Sequence, residues 1–73
     1  MIITNEQLTQ AIANKLYACR EERKMSIIEF SKFLGVSDRL YRNYEDGFTQ
    51  PGWKKIISFC NKLEVTLNDM LGL

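Results

Sequence analysis

The sequence predicts an all-α fold, a bundle of five short helices, on three observations. Serine and threonine capping signals recur along the chain, glycines fall where helices should stop, and apolar residues return every three or four positions. No stretch combines sustained strand alternation with a hairpin turn. A chain of 73 residues is stable without covalent staples only when its elements are regular and closely connected, which again favours helices.

The first helix is predicted from Asn5 to Lys24. Thr4 can accept from a free amide of the first turn while Gln7 reaches back to the Thr4 amide, and Leu8, Ile12, Leu16 and Cys19 then share one face. Ser26 and Glu29 form the same box before a second helix, Ile27 to Leu34, whose buried side is read as Ile28, Phe30, Phe33 and Leu34, with Gly35 closing it in the left-handed conformation. Ser37 opens a third helix, Asp38 to Asp46, with the Asp38 carboxylate in the first turn, where the helix dipole favours it, and Gly47 at the stop. Pro51-Gly52 punctuates before a fourth, Gly52 to Leu63, lined by Trp53, Ile56, Ile57, Cys60 and Leu63. Thr66 and Asp69 form a looser box for the fifth, Leu67 to Leu71. Tyr41, Tyr44, Trp53, Phe30, Phe33 and Phe59 are expected in the core, and Phe48 is expected to pack as a lid on the fourth helix. The whole chain, 1–73, reads as one domain with residues 1–4 as a short extension.

Composition excludes several classes of function. With 45% apolar and 26% charged residues the chain has the profile of an ordinary globular domain. No run is long and apolar enough for a membrane span, and the start Met1-Ile2-Ile3-Thr4-Asn5-Glu6 is unlike a signal peptide, so a cytoplasmic protein is expected. There is no histidine and no Cys-x-x-Cys, so Cys19 and Cys60 are read as reduced core residues, with no metal and no cofactor. An enzyme is not expected, since the chain has neither a phosphate-binding glycine loop nor a nucleophile with a base. Nothing points to a small-molecule ligand. The net charge is only +1, so any positive surface must come from local arrangement.

Such an arrangement is predicted on the third helix. Steps of about 100° per residue put Asp38, Arg42, Asp46, Arg39 and Asn43 on one arc and Leu40, Tyr44, Tyr41 and Glu45 on the other. The apolar arc can pack on the second helix across the Leu34-Gly35-Val36 turn, leaving the polar arc outward. Two helices joined by a short glycine-containing turn are a helix-turn-helix, whose second helix enters the DNA major groove. There arginine can pair with guanine, asparagine with adenine, and aspartate can accept from cytosine.

The run from Leu16 to Leu71 resembles the helix-turn-helix domain of the lambda repressor and Cro family. The matching residues are Arg20, Ser26-Ile27-Ile28-Glu29-Phe30-Ser31, Leu34-Gly35-Val36-Ser37, Tyr44-Glu45-Asp46-Gly47, Pro51 and Leu63-Glu64-Val65-Thr66-Leu67. The resemblance implies that Asp38, Arg39 and Asn43 turn toward bases, with Arg42 on a base or a phosphate, and that Arg20 forms a structural ion pair with Glu45. Lys54 and Lys55, opening the fourth helix, are expected on phosphates with Lys32, Thr49 and Gln50. Ser26, Ile27 and Ser37 are added as helix-start contacts, Ile27 through its backbone amide. Ile27 stands where the family often has glutamine, Ser31 where alanine is usual and Glu64 where glycine is usual.

A domain this small buries a modest interface with double-stranded DNA, which predicts a homodimer reading two half-sites. Met70 and Leu73 are the expected dimer contacts, with the Met1-Ile2-Ile3 arm as an alternative. The function expected is sequence-specific DNA binding by a bacterial, phage or plasmid transcriptional regulator, most plausibly a repressor without a sensor domain. The alternative is a protein-interaction module of the same fold, antitoxin-like or an adaptor, supported by the low net charge, Asp38, Ile27 and Phe48.

Overall fold

The computed structural model describes residues 3–73 and contains five helices: α1 (Asn5–Glu22), α2 (Ile27–Leu34), α3 (Asp38–Glu45), α4 (Trp53–Leu63) and α5 (Leu67–Leu71). Each start except that of α4 is a side-chain cap. Thr4 and Ser26 accept from the amides of Gln7 and Glu29, whose own side chains return the bond, while Ser37 and Thr66 accept from Leu40 and Asp69. Met1 and Ile2, part of the arm considered for dimerisation, lie outside the described residues.

The helix ends follow from backbone chemistry. At the end of α2, Val36 donates to the Ser31 carbonyl and Gly35 to those of Lys32 and Ser31, a turn that needs the positive φ of 83° at Gly35. α1 stops two residues short of expectation, because Lys24 takes a φ of 55° and donates to the Glu21 carbonyl. α4 ends on Glu64 in the same left-handed conformation, φ 57°.

α1 is the scaffold. α3 and α5 pack on it, α2 packs on α3 and α4, and α5 closes against α4. Leu16, Phe30, Tyr41 and Met70 are completely buried at the centre. The Tyr41 ring meets Phe30 edge-on at 5.4 Å, and Tyr44 meets Phe59 at 6.1 Å. Cys19 and Cys60 are buried free thiols, and burial pushes the Cys60 thiol up from its ordinary pKa. Ser31, at the alanine position, is buried because its hydroxyl donates to the Ile28 carbonyl at 2.8 Å. Among the described residues, no helix is long and apolar enough to cross a membrane.

Several apolar residues stand differently from expectation. α4 turns Ile56, Phe59, Cys60 and Leu63 inward, so Trp53 and Ile57 are more than half exposed. α2 buries Phe30, Ser31 and Leu34, which carries Ile28 out to 51% exposure and leaves Phe33 at 39%. Small Ser31 lets that face approach its neighbours, and a rotation by one position costs the helix no periodicity. Phe33 is partly covered, stacking on Phe30 at 6.0 Å with the Arg23 guanidinium 6.0 Å from its ring centre. Phe48 forms no lid and is 79% exposed. Met70 is a core residue at 0% exposure and cannot be a dimer contact, because α5 lays its inner side against α1; Leu73, past the Gly72 turn, is 62% exposed.

A side chain with a Cβ is disfavoured in the left-handed region by roughly 1–2 kcal/mol. Glu64→Gly removes that penalty at an exposed position and is expected to stabilise the domain by about 0.5–1 kcal/mol, after the greater backbone entropy of glycine is deducted. Thermal unfolding checks this, and an unchanged or lower midpoint contradicts it.

Candidate nucleic-acid interface

α3 is amphipathic about a sharp line. Tyr41 and Tyr44 are buried and Leu40 is half-buried on the inner side, while Asp38, Arg39, Arg42 and Asp46 are exposed and Asn43 sits half-buried at the rim. The turn Gly35-Val36-Ser37 carries the chain from α2 into this helix without a longer loop. After α3 the backbone folds back: the amides of Phe48 and Thr49 both donate to the Asn43 carbonyl, at 2.9 and 3.3 Å. That return holds the next loop beside the polar arc.

The inner edge of α3 carries one charge. Glu45 receives two parallel bonds from Arg20, Nε to Oε2 and Nη2 to Oε1, each 3.0 Å, with only 11% and 14% of the two side chains exposed. Arg20 also donates through Nη1 to the Met25 carbonyl at 3.1 Å, and its guanidinium lies over the Tyr17 ring. The Tyr41 hydroxyl donates to the Leu16 carbonyl, 3.5 Å away. Burial pushes the Glu45 carboxyl up, but the hydrogen bonds from Arg20 and Tyr41 and the arginine charge outweigh it, leaving the group below the usual carboxylate range. The hydrogen bond to Glu45 raises the Arg20 pKa further, and burial raises that of the Tyr41 phenol. The cluster is therefore a carboxylate, a guanidinium and a neutral phenol near neutral pH.

The residues expected on phosphates divide by what else they do. Lys54 and Lys55 are exposed in the first turn of α4, whose N-cap, Gly52, supplies no side-chain bond. Positive side chains, free amide donors and the helix dipole therefore coincide there. Lys32 and Thr49 are exposed. Gln50 is half-buried, its Oε1 2.9 Å from the Thr9 hydroxyl on α1, which ties the loop to the scaffold. The Ser37 oxygen accepts from Leu40, leaving its hydrogen to donate. Ser26 is engaged in its capping box: its oxygen accepts from Glu29, and hydrogen bonding to Ser26, its amide foremost, holds the exposed Glu29 carboxyl below the usual range. That carboxylate opposes a phosphate at the start of α2. The Ile27 side chain packs inward against the core.

Two cations unassigned in the sequence serve backbone ends. Lys62 Nζ on α4 donates to the Leu34 carbonyl of α2 at 3.0 Å, and Arg23 reaches the Leu63 carbonyl at 3.4 Å. A basic residue in the last turn signals capping of its own helix. Nothing local signals service to another one.

The helix-turn-helix family HTH_3 matches residues 16–70 of this chain. The chain belongs to that family, of the lambda repressor and Cro type. Over 59 residues it is 30% identical to an uncharacterised HTH-type transcriptional regulator, YqaE, of Bacillus subtilis (strain 168); the match covers 81% of this chain and 51% of that protein. This chain thus spans about half the length of that relative. The fold is similar to a crystal structure of an HTH_3 family transcriptional regulator from Vibrio cholerae, at a TM-score of 0.81 and 23% identity, covering 94% of this chain and 39% of the other.

The Arg20 and Glu45 pair sets two expectations. Removing either partner strands the other charge, so Arg20→Met or Glu45→Leu should each cost about 3 kcal/mol or more, with the double replacement costing less than the sum. Strictly additive losses in denaturant titrations would show that the two do not interact. Because the Glu45 carboxyl is held below its ordinary value of 4.5, its contribution is full above that pH and is lost as pH falls through the lower folded value. Melting temperatures should drop below about pH 4.5, and less steeply in Glu45→Gln.

Proposed function

We propose that this domain binds double-stranded DNA sequence-specifically and regulates transcription, with α3 in the major groove. The observation that carries the reading is the outward arc of α3, where Arg39, Arg42 and Asp38 are exposed and Asn43 lies at the rim of a helix locked from behind by Arg20 and Glu45. These are the side chains that distinguish base edges by hydrogen bonding. Family membership supports the reading, and both similar proteins are described as transcriptional regulators. Lys54 and Lys55 at the uncapped start of α4 are the principal phosphate anchors, assisted by Ser37, Thr49 and Lys32. Asp38 accepts from a cytosine amino group, since its charge would otherwise oppose the backbone. A homodimer on a near-palindromic operator, acting as a repressor by occluding promoter DNA, fits the small size of the interface. Leu73 is the contact put forward for the second copy.

A protein-interaction module is favoured by the exposure of Phe48 and Trp53, and one experiment separates the two readings. Arg39→Ala and Asn43→Ala should each cost about 1–3 kcal/mol on a duplex selected from a random pool, relaxing preference at one base pair per half-site. Nonspecific affinity should barely change. Lys54→Ala and Lys55→Ala should weaken all duplexes alike and lower the salt slope by about one per contact. Folded Arg39→Ala and Asn43→Ala proteins that keep full site preference would remove α3 as the reader. A parent protein that enriches no duplex at low salt would favour the interaction module.

A further inference from the structure

Lys62 is an exposed lysine whose ammonium is turned back onto the protein's own backbone. It lies in the last turn of α4, yet its ammonium sits 3.0 Å from the carbonyl of Leu34, the last residue of α2 and 28 positions earlier in the chain. That carbonyl belongs to the same peptide unit as the Gly35 amide, which closes α2 by donating to the Ser31 and Lys32 carbonyls. The ammonium lies close over the turn: a Cβ placed on Gly35 would stand 3.2 Å from Nζ, and would be strained at a φ of 83° in any case.

We propose that Lys62 is a positioning residue that clamps the helix-turn-helix to α4. The cation takes the negative end of the α2 dipole and a carbonyl that α2 itself cannot satisfy. A charge-assisted bond to that oxygen polarises its peptide unit and strengthens the Gly35 amide as a donor, so one contact stiffens the closing turn. Lys62 also couples the two parts of the proposed interface. The turn at Gly35 leads directly into α3, while α4 begins with Lys54 and Lys55 and ends with Lys62. Fixing the end of α2 to the end of α4 sets the spacing between the base-reading arc and the phosphate anchors. Leu34 and Leu63 also belong to the apolar core beneath this junction, but apolar contact does not fix the orientation of a peptide plane. The consequence for DNA rests on the reading proposed above; the clamp does not.

The experiment compares the parent protein with Lys62→Met, which keeps the apolar stem and loses the donor, and Lys62→Arg, which keeps a cationic donor. Amide hydrogen exchange of Gly35 and Val36 is measured without DNA, and equilibrium binding is measured on a duplex enriched from a random pool and on a mixed-sequence duplex. Exchange at Gly35 should accelerate in Lys62→Met by more than the change in global stability explains, and Lys62→Arg should restore protection. Preference for the enriched duplex should fall on the order of tenfold, as for one lost base contact, with the salt slope unchanged. Unchanged Gly35 exchange in folded Lys62→Met overturns the clamp whatever the DNA result. Equal losses on both duplexes with a reduced salt slope overturn it in favour of a direct phosphate contact. If the parent enriches no duplex, the DNA reading fails by itself, and faster Gly35 exchange in Lys62→Met still supports the clamp. Should Lys62→Met not fold, Lys62→Gln, polar but too short to reach, carries the same comparison.

Discussion

Glu45 has to be neutralised on the inner edge of α3, and the Arg20 fork that does so fixes the position of everything α3 presents. A helix of eight residues has little stability of its own and takes its orientation from tertiary contacts. Tyr41 and Tyr44 hold α3 against the core, but apolar packing tolerates sliding and small rotations. The two parallel 3.0 Å bonds between Arg20 and Glu45 do not. Since Arg20 also donates to the Met25 carbonyl just before α2, one guanidinium ties α1 to both halves of the helix-turn-helix. The outward arc is therefore carried on a helix whose roll about its axis is set by a charged pair.

Eight of the ten basic residues fall into two populations that composition cannot distinguish. Arg20, Arg23 and Lys62 are turned to backbone carbonyls, each at or near a helix end. Arg39, Arg42, Lys32, Lys54 and Lys55 are exposed and make no side-chain hydrogen bond or ion pair among the described residues. A chain with a net charge of +1 can still gather positive charge at the start of α4, where Lys54 and Lys55 adjoin, while at α3 the exposed Arg39 and Arg42 stand with the exposed Asp38 and Asp46. Glu45 is neutralised by Arg20, whereas Glu29, engaged by the capping box of α2, keeps its exposed charge. The one acidic group in the first turn of α3, Asp38, puts a charged acceptor among the donors of the arc.

What the sequence determined by itself was local. Capping boxes at Thr4 and Ser26, the cap at Ser37 and the left-handed glycine at Gly35 act within a few residues of each other, so helix number and starts were legible, and the ends to within two residues. The division of α3 into two faces was legible too, because polar and apolar residues on it do not intermingle. The Arg20 and Glu45 pair was legible through the family resemblance, spacing alone being silent about residues 25 apart. Only the tertiary structure decided the roll of α2 and α4, since apolar residues surround more of each helix than its neighbours can cover. That roll exposed Ile28, Trp53 and Ile57 and buried Ser31. It likewise decided that Met70 is core and Leu73 surface, and that Lys62 serves α2 and not its own helix. These outcomes depend on which helix lies opposite, a quantity set by the whole packing arrangement and carried by no short stretch of chain.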